Sequence, residues 1–255
     1  EADEDRAAYY DRAVSRLGWC IKNFGGYQKK IMRDVFFEAF ETYETGCAPV
    51  IQELARGVAP ERQTQLLGRA AAAMLDELEA GWQKKGDMED EKIVLAIFFV
   101  PMVRKQQLPI SEEFVTILQK QWVERYPKSP FYLGDYESIS GGFRKKFLGL
   151  CFITTAVCQE LGKPDDCEEL TAFRAFRDGY LRSQPDGEAL IREYYNIAPG
   201  IVTCINTCSD RHASYARIRE EFLAPCYQDL LAGRNESCKA RYVRMVRDLE
   251  REYLS

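Results

Sequence analysis

Histidine is almost missing from this chain: His212 stands alone among 255 residues. That scarcity excludes a di-iron bundle site built from two Glu-x-x-His motifs, and it leaves nucleophilic catalysis a single candidate imidazole base. Paired Cys-x-x-Cys knuckles are missing too, which removes the zinc-ribbon class. So is the Gly-x-x-x-x-Gly-Lys-Ser/Thr loop that cradles phosphates. There is no basic surplus: 35 Lys and Arg face 40 Asp and Glu, for a net charge of −5. A nucleic-acid scaffold would show a basic field, so no nucleic-acid partner is expected. Apolar runs are short. The longest, Ile93 to Val103 and Phe147 to Cys158, carry Pro101 in one and Thr154 and Thr155 in the other. Neither reaches the ~20 residues of a membrane span. Glu1 to Asp5 is acidic, the reverse of a signal peptide's opening. A cytoplasmic location with reduced thiols is therefore the expectation.

What is present is helical patterning, with strand alternation nearly absent. Hydrophobic residues make up 46% and charged residues 29%, the balance of a soluble globular protein. Tyr9, Ala13, Leu17 and Cys20 stripe a first helix over 2–24, broken at Gly25-Gly26. An aromatic-rich helix over 28–45 closes at Gly46, and a short one follows over 49–56. Leu66, Leu67, Ala70, Met74 and Leu78 mark a long helix over 60–83. Asp87 is the expected N-cap of a helix over 89–104 that Pro101 kinks or ends. Another runs 111–126. Helices then follow over about 143–161, after a cap at Asp165 or Asp166, and over 186–197, 199–208, 210–231 and 236–253. The expectation is an all-α multi-helix bundle of nine or ten helices with no significant sheet. Residues 1–126 form an N-terminal bundle, 127–142 a connecting loop and 143–255 a C-terminal helical region. Residues 141–255 carry 17 cations and 17 anions, so the negative excess lies in 1–140.

Seven of the nine cysteines lie between Cys151 and Cys238. Cys151 and Cys158 are seven apart and share a face if Leu148 to Leu161 is helical; Cys204 and Cys208, four apart, likewise. Three readings stay open. The thiols are small buried hydrophobes, or Cys151, Cys158 and Cys167 form a zinc, iron or redox site, or one is a nucleophile. For the last, an Asp210/His212 pair would serve Cys151 or Cys208.

The segments CFITTAVC, ELTAFRAFRDGYL and GEALIREYYNIAPGIV together resemble the bacterial CFI-box domain. Cys151, Phe152 and Ile153 match its opening. Phe173, Arg174, Phe176, Arg177 and Asp178 match its middle, and Tyr194, Tyr195, Ala198 and Pro199 its end. The likeness covers residues 151–202, about a fifth of the chain. Family text has Tyr-Gly-Ser soon after the opening where this chain has Val157-Cys158-Gln159-Glu160. The resemblance implies a bacterial source and brings no activity with it.

Arg174 and Arg177 on one helical turn suit either an anion or a structural ion pair with a residue such as Asp165 or Glu193. Gly141-Gly142 before Arg144, Lys145 and Lys146 reads as a flexible linker into a cationic turn. The Arg241, Arg244 and Arg251 stripe reads as a solvated face. Helical spacing absorbs nearly every candidate, and no complete catalytic or cofactor set appears. The expectation is a non-catalytic protein-interaction or scaffold module without a cofactor, the alternative being the thiol-based site above. Phe131, Tyr132 and Tyr136 in the 127–142 loop are its expected exposed contact residues. A protein partner is expected, and a homo-oligomer is compatible.

Overall fold

The computed structural model describes residues 2–144 and 151–255. Among the described residues no strand occurs, and eleven helices form, against the nine or ten expected. The first is α1, Ala2–Leu17, followed by a single turn Trp19–Lys22. Next come α2, Phe36–Gly57, and α3, Gln63–Gly81. Helix α4 runs Lys85–Val94, widens into a π turn at Leu95–Phe99 and continues as Val100–Lys105. Then follow α5, Ser111–Arg125, and α6, Tyr136–Arg144. Helix α7 is Phe152–Glu160; α8 is Glu168–Phe176 with a π turn Arg177–Leu181. Helix α9 is Gly187–Cys208. Helix α10 is Arg211–Ile218, a π turn Arg219–Leu223 and Ala224–Leu231, and α11 is Asn235–Tyr253. No helix among the described residues is long and apolar enough to cross a membrane.

Several expected breaks are continuous helix. Helix α2 passes through Gly46 and Pro49, and α9 passes through Pro199. The buried residues flanking Pro49 (Cys47, Ala48, Val50, Ile51) offset the local cost of a lost backbone bond. Pro101 does not end α4. It comes two residues after the π turn Leu95–Phe99, and Pro225 comes two residues after Arg219–Leu223. Widening the turn ahead of a proline relieves the clash of its ring with the preceding carbonyls. Asp87 lies inside the first turn of α4, where its carboxylate accepts from the Gln83 and Lys84 amides. Gly141 to Arg144 are the end of α6 and not a linker; Lys145 and Lys146 lie outside the described residues.

The chain divides into two compact units. The first holds the described part of Glu1–Lys30, with Phe37–Gly141 and Thr207–Ser209. In it α3 packs on α1 and α5, and α4 on α5. One aromatic cluster joins Phe24, Tyr27, Tyr43 and Phe98, with centroids 4.6–5.6 Å apart for the Phe24–Tyr43, Tyr27–Phe98 and Tyr43–Phe98 pairs. The buried Lys92 pairs with the half-exposed Glu89, its Nζ 2.5 Å from Oε2, and donates to Ser129 Oγ at 2.7 Å.

The second unit holds Ile31–Phe36, the described part of Gly142–Asn206, and Asp210–Ser255. Here α10 packs on α7, α8 and α11. Gly200 of α9 lies so close to Ile31 that a Cβ would overlap the Ile31 carbonyl. The Asn196 backbone and side-chain oxygens accept from the Arg33 and Asp34 amides, tying this short segment to α9.

Candidate functional site: an apolar cavity beside Cys151 and Arg177

A cavity of about 60 Å³ lies within the second unit. Helix α8 supplies Phe173 and Phe176, three residues apart on one face. Helix α9 supplies Leu190, Ile191 and Tyr194, and α11 supplies Tyr242, Val243 and Val246. Both latter triplets follow the i, i+1, i+4 spacing that turns apolar side chains toward one side of a helix. Cys151 and Arg177 also border the cavity, which reaches the surface at the exposed residues Glu193 and Arg247. Arg247 has no ion-pair partner among the described residues.

Away from the exposed mouth, the polar groups at the wall are paired within the protein. The Ile153 amide, one of the first-turn donors that a helix leaves unpaired, donates to Tyr194 Oη at 3.0 Å. The Tyr242 and Thr154 hydroxyls lie 3.2 Å apart. Arg177 forks onto Asp178, with Nε to Oδ1 at 2.8 Å and Nη2 to Oδ2 at 2.7 Å. Its Nη1 also donates to Tyr195 Oη at 3.1 Å and toward Cys151 Sγ at 3.5 Å. The Arg177 bond holds the Asp178 carboxyl below the usual range. Burial pushes the Cys151 thiol up, and the Arg177 charge opposes that shift without reversing it. Cys151 is therefore a neutral thiol at neutral pH. Cys151, Arg177, Asp178 and Tyr195 thus share one polar network, and Ile153 pairs separately with Tyr194.

Cys158 and Cys167 have different neighbours. Their sulfurs are 3.9 Å apart, and Glu169 Oε2 is 3.9 Å from Cys158 Sγ while pairing with Lys163 Nζ at 2.6 Å. Burial, then the adjoining Cys167, pushes the Cys158 thiol up to about 12. Helix α7 starts at Phe152, so Cys151 precedes it and the expected two-turn alignment with Cys158 does not arise; Leu148 lies outside the described residues. Among the described residues no group of three or more His, Cys, Asp or Glu side chains is arranged to hold a metal ion.

The other candidates fall as follows. Arg174 pairs with Asp165, Nη2 to Oδ1 at 2.8 Å. His212 is largely exposed with Nδ1 3.3 Å from Glu160 Oε1, and Asp210 caps α10 by accepting from the Ala213 amide at 3.1 Å. Phe131 is not an exposed contact residue. It is fully buried, with its ring 5.8 Å from that of Trp122 and its carbonyl accepting from Gln119 Nε2 at 3.0 Å. Trp122 Nε1 donates to Ser129 O, and Arg104 Nη1 to Gly134 O, so the loop is pinned at several points. Tyr136 is half-buried against Phe40 and under the Lys105 ammonium. Tyr132 alone of the three is exposed.

The cavity itself escaped the sequence. In α11 the arginines dominate the sequence pattern, while Tyr242 and Val246, four apart, carry the usable signal. No known protein family, curated protein or solved structure matches this chain.

Proposed function

We propose that the protein is a non-catalytic interaction module that seats one aliphatic side chain of a partner protein in the second unit's cavity. The observation that carries this reading is the cavity's size and lining. At about 60 Å³ it is smaller than the ~150 Å³ that accommodates benzene, and far below the ~300–1,000 Å³ of cofactor sites. Its walls are aromatic and aliphatic, and the polar groups away from its Glu193–Arg247 mouth are already paired, so its interior rewards burial of a few methyl groups and offers little to a polar substrate. A neutral Cys151 thiol beside a guanidinium, and not beside a base, fits binding better than acyl transfer.

The test is selection of peptides from a displayed random library on the full chain, with affinities then measured by fluorescence anisotropy. Selected peptides share an aliphatic anchor and bind Val246→Phe, which fills the cavity, at least tenfold more weakly. Val243→Phe serves as a second filling variant should the first lose its native circular dichroism. Equal binding to the filled variants, or a selected set without an aliphatic anchor, overturns the reading.

A further inference from the structure

We propose that Cys158 and Cys167 form a thiol–disulfide exchange site for small-molecule disulfides, with Cys167 attacking first and Cys158 resolving. It stands independently of the anchor cavity. All nine cysteines are free, and eight are buried; Cys167 is the exception. The sulfur nearest to it is Cys158 Sγ at 3.9 Å, just behind it in the same unit. Other thiols also neighbour one another, Cys20 with Cys47 and Cys226 with Cys238, but all four are fully buried and no reagent reaches them in the folded chain.

The backbone holds the two sulfurs in register. Cys158 is on the last turn of α7 and Cys167 immediately precedes α8. Between them Gly162 adopts φ +68°, a left-handed conformation that glycine takes without a Cβ penalty. The Lys163 amide then donates to Cys158 O at 2.9 Å, and the Cys167 amide to Pro164 O at 3.1 Å, so both ends of the turn are tied. A disulfide needs the sulfurs to close to about 2.05 Å. Rotation of the half-exposed Cys167 side chain between staggered positions supplies movement of that order.

The chemistry balances as follows. The Cys167 thiolate attacks one sulfur of a disulfide R–S–S–R, forming Cys167–S–S–R and expelling RS⁻, which takes up the proton that Cys167 lost. Cys158 then loses its proton to solvent and attacks Cys167 Sγ, forming the Cys158–Cys167 bond and expelling a second RS⁻, which is protonated in turn. Two protein thiols are oxidised by two electrons, and one small disulfide is reduced to two thiols. The neighbouring cysteine is one of the causes that keep Cys158 protonated. Once Cys167 is capped as a mixed disulfide, that repulsion is gone. Burial and the Glu169 carboxylate still hold Cys158 protonated and the Lys163 ammonium opposes them, so the second step draws on a small thiolate fraction.

The test treats the native full chain with glutathione disulfide, quenches with acid and maps the products by mass spectrometry after cleavage at glutamate. Glu160 lies between the two cysteines, so cleavage there separates peptides that only a disulfide joins. The wild type should yield the Cys158–Cys167 crosslink before any other cysteine reacts. Cys158→Ser should stop at one glutathione adduct on Cys167, and Cys167→Ser should lose both products. The second step should speed up about tenfold per pH unit over the neutral range, as expected for attack by a thiolate well below its pKa. A wild type that halts at the mixed disulfide, one that oxidises first at another cysteine, or one inert to the reagent under native conditions overturns the assignment.

Discussion

Phe131 and Tyr132 are adjacent in the chain and opposite in exposure. Phe131 has none of its surface in water, whereas Tyr132 keeps 46%. Truncating Phe131 to Ala removes a ring from a packed aromatic cluster and should cost about 3–5 kcal/mol. Tyr132→Ala should fall within about 0.5 kcal/mol of the wild type. Urea unfolding of the two variants checks this, and comparable losses for both would contradict the pinned loop. The same contrast shows what residue-level reading misses. Loop composition marks 127–142 as irregular, whereas the irregular stretch ends before Tyr136, where α6 begins; its pinning comes from Trp122, Lys92 and Arg104, whose reach into the loop has no local signature. Cys151 and Arg177, 26 residues apart, are a similar case: resemblance groups them in one text, but nothing in their spacing puts a guanidinium beside a sulfur.

At the scale of the element, helix content was legible because apolar residues recur at helical period through nearly every segment. Boundaries were less so. Gly46 reads as a stop and Pro49 and Pro199 as starts, yet each is interior to a helix of 22 residues. A glycine costs such a helix only about 1 kcal/mol, which burial of its neighbours outweighs. Glycine matters more where two elements touch. Gly187 opens α9 so close to the end of the α8 π turn that a Cβ would overlap the Leu181 carbonyl. That approach leads into the stretch that brings Leu190, Ile191 and Tyr194 to the cavity. Gly187→Ala should therefore destabilise by about 1–3 kcal/mol through forced backbone displacement. Gly179→Ala, with open space around its Cβ position, is the matched control. Equal thermal midpoints for the two variants would count against the close approach.

For the molecule as a whole, buried thiols set an alkaline limit. Burial pushes Cys208 up to about 11, and burial with Cys167 pushes Cys158 up to about 12. An unfolded cysteine ionises near 8.5. Above that pH the unfolded chain sheds protons that the folded chain retains, so the contribution of these groups is complete below about pH 8.5 and is lost as pH rises toward 11–12. Within that window each such thiol lowers stability by about 1.4 kcal/mol per pH unit. Urea midpoints under reducing conditions should thus fall between pH 8 and pH 10, and Cys208→Ala should flatten the slope. A midpoint that holds or rises over that range would refute the picture of sealed, protonated sulfur.

The division of the chain has a bearing on its birth. Thr207–Ser209 belongs to the first unit, although it is made after most of the second. A ribosome adding about 5–20 residues per second leaves the first unit incomplete for ~10–40 s. The aromatic residues of that unit are all in place long before then, so what vectorial synthesis withholds to the last is the closing contribution of residues 207–209.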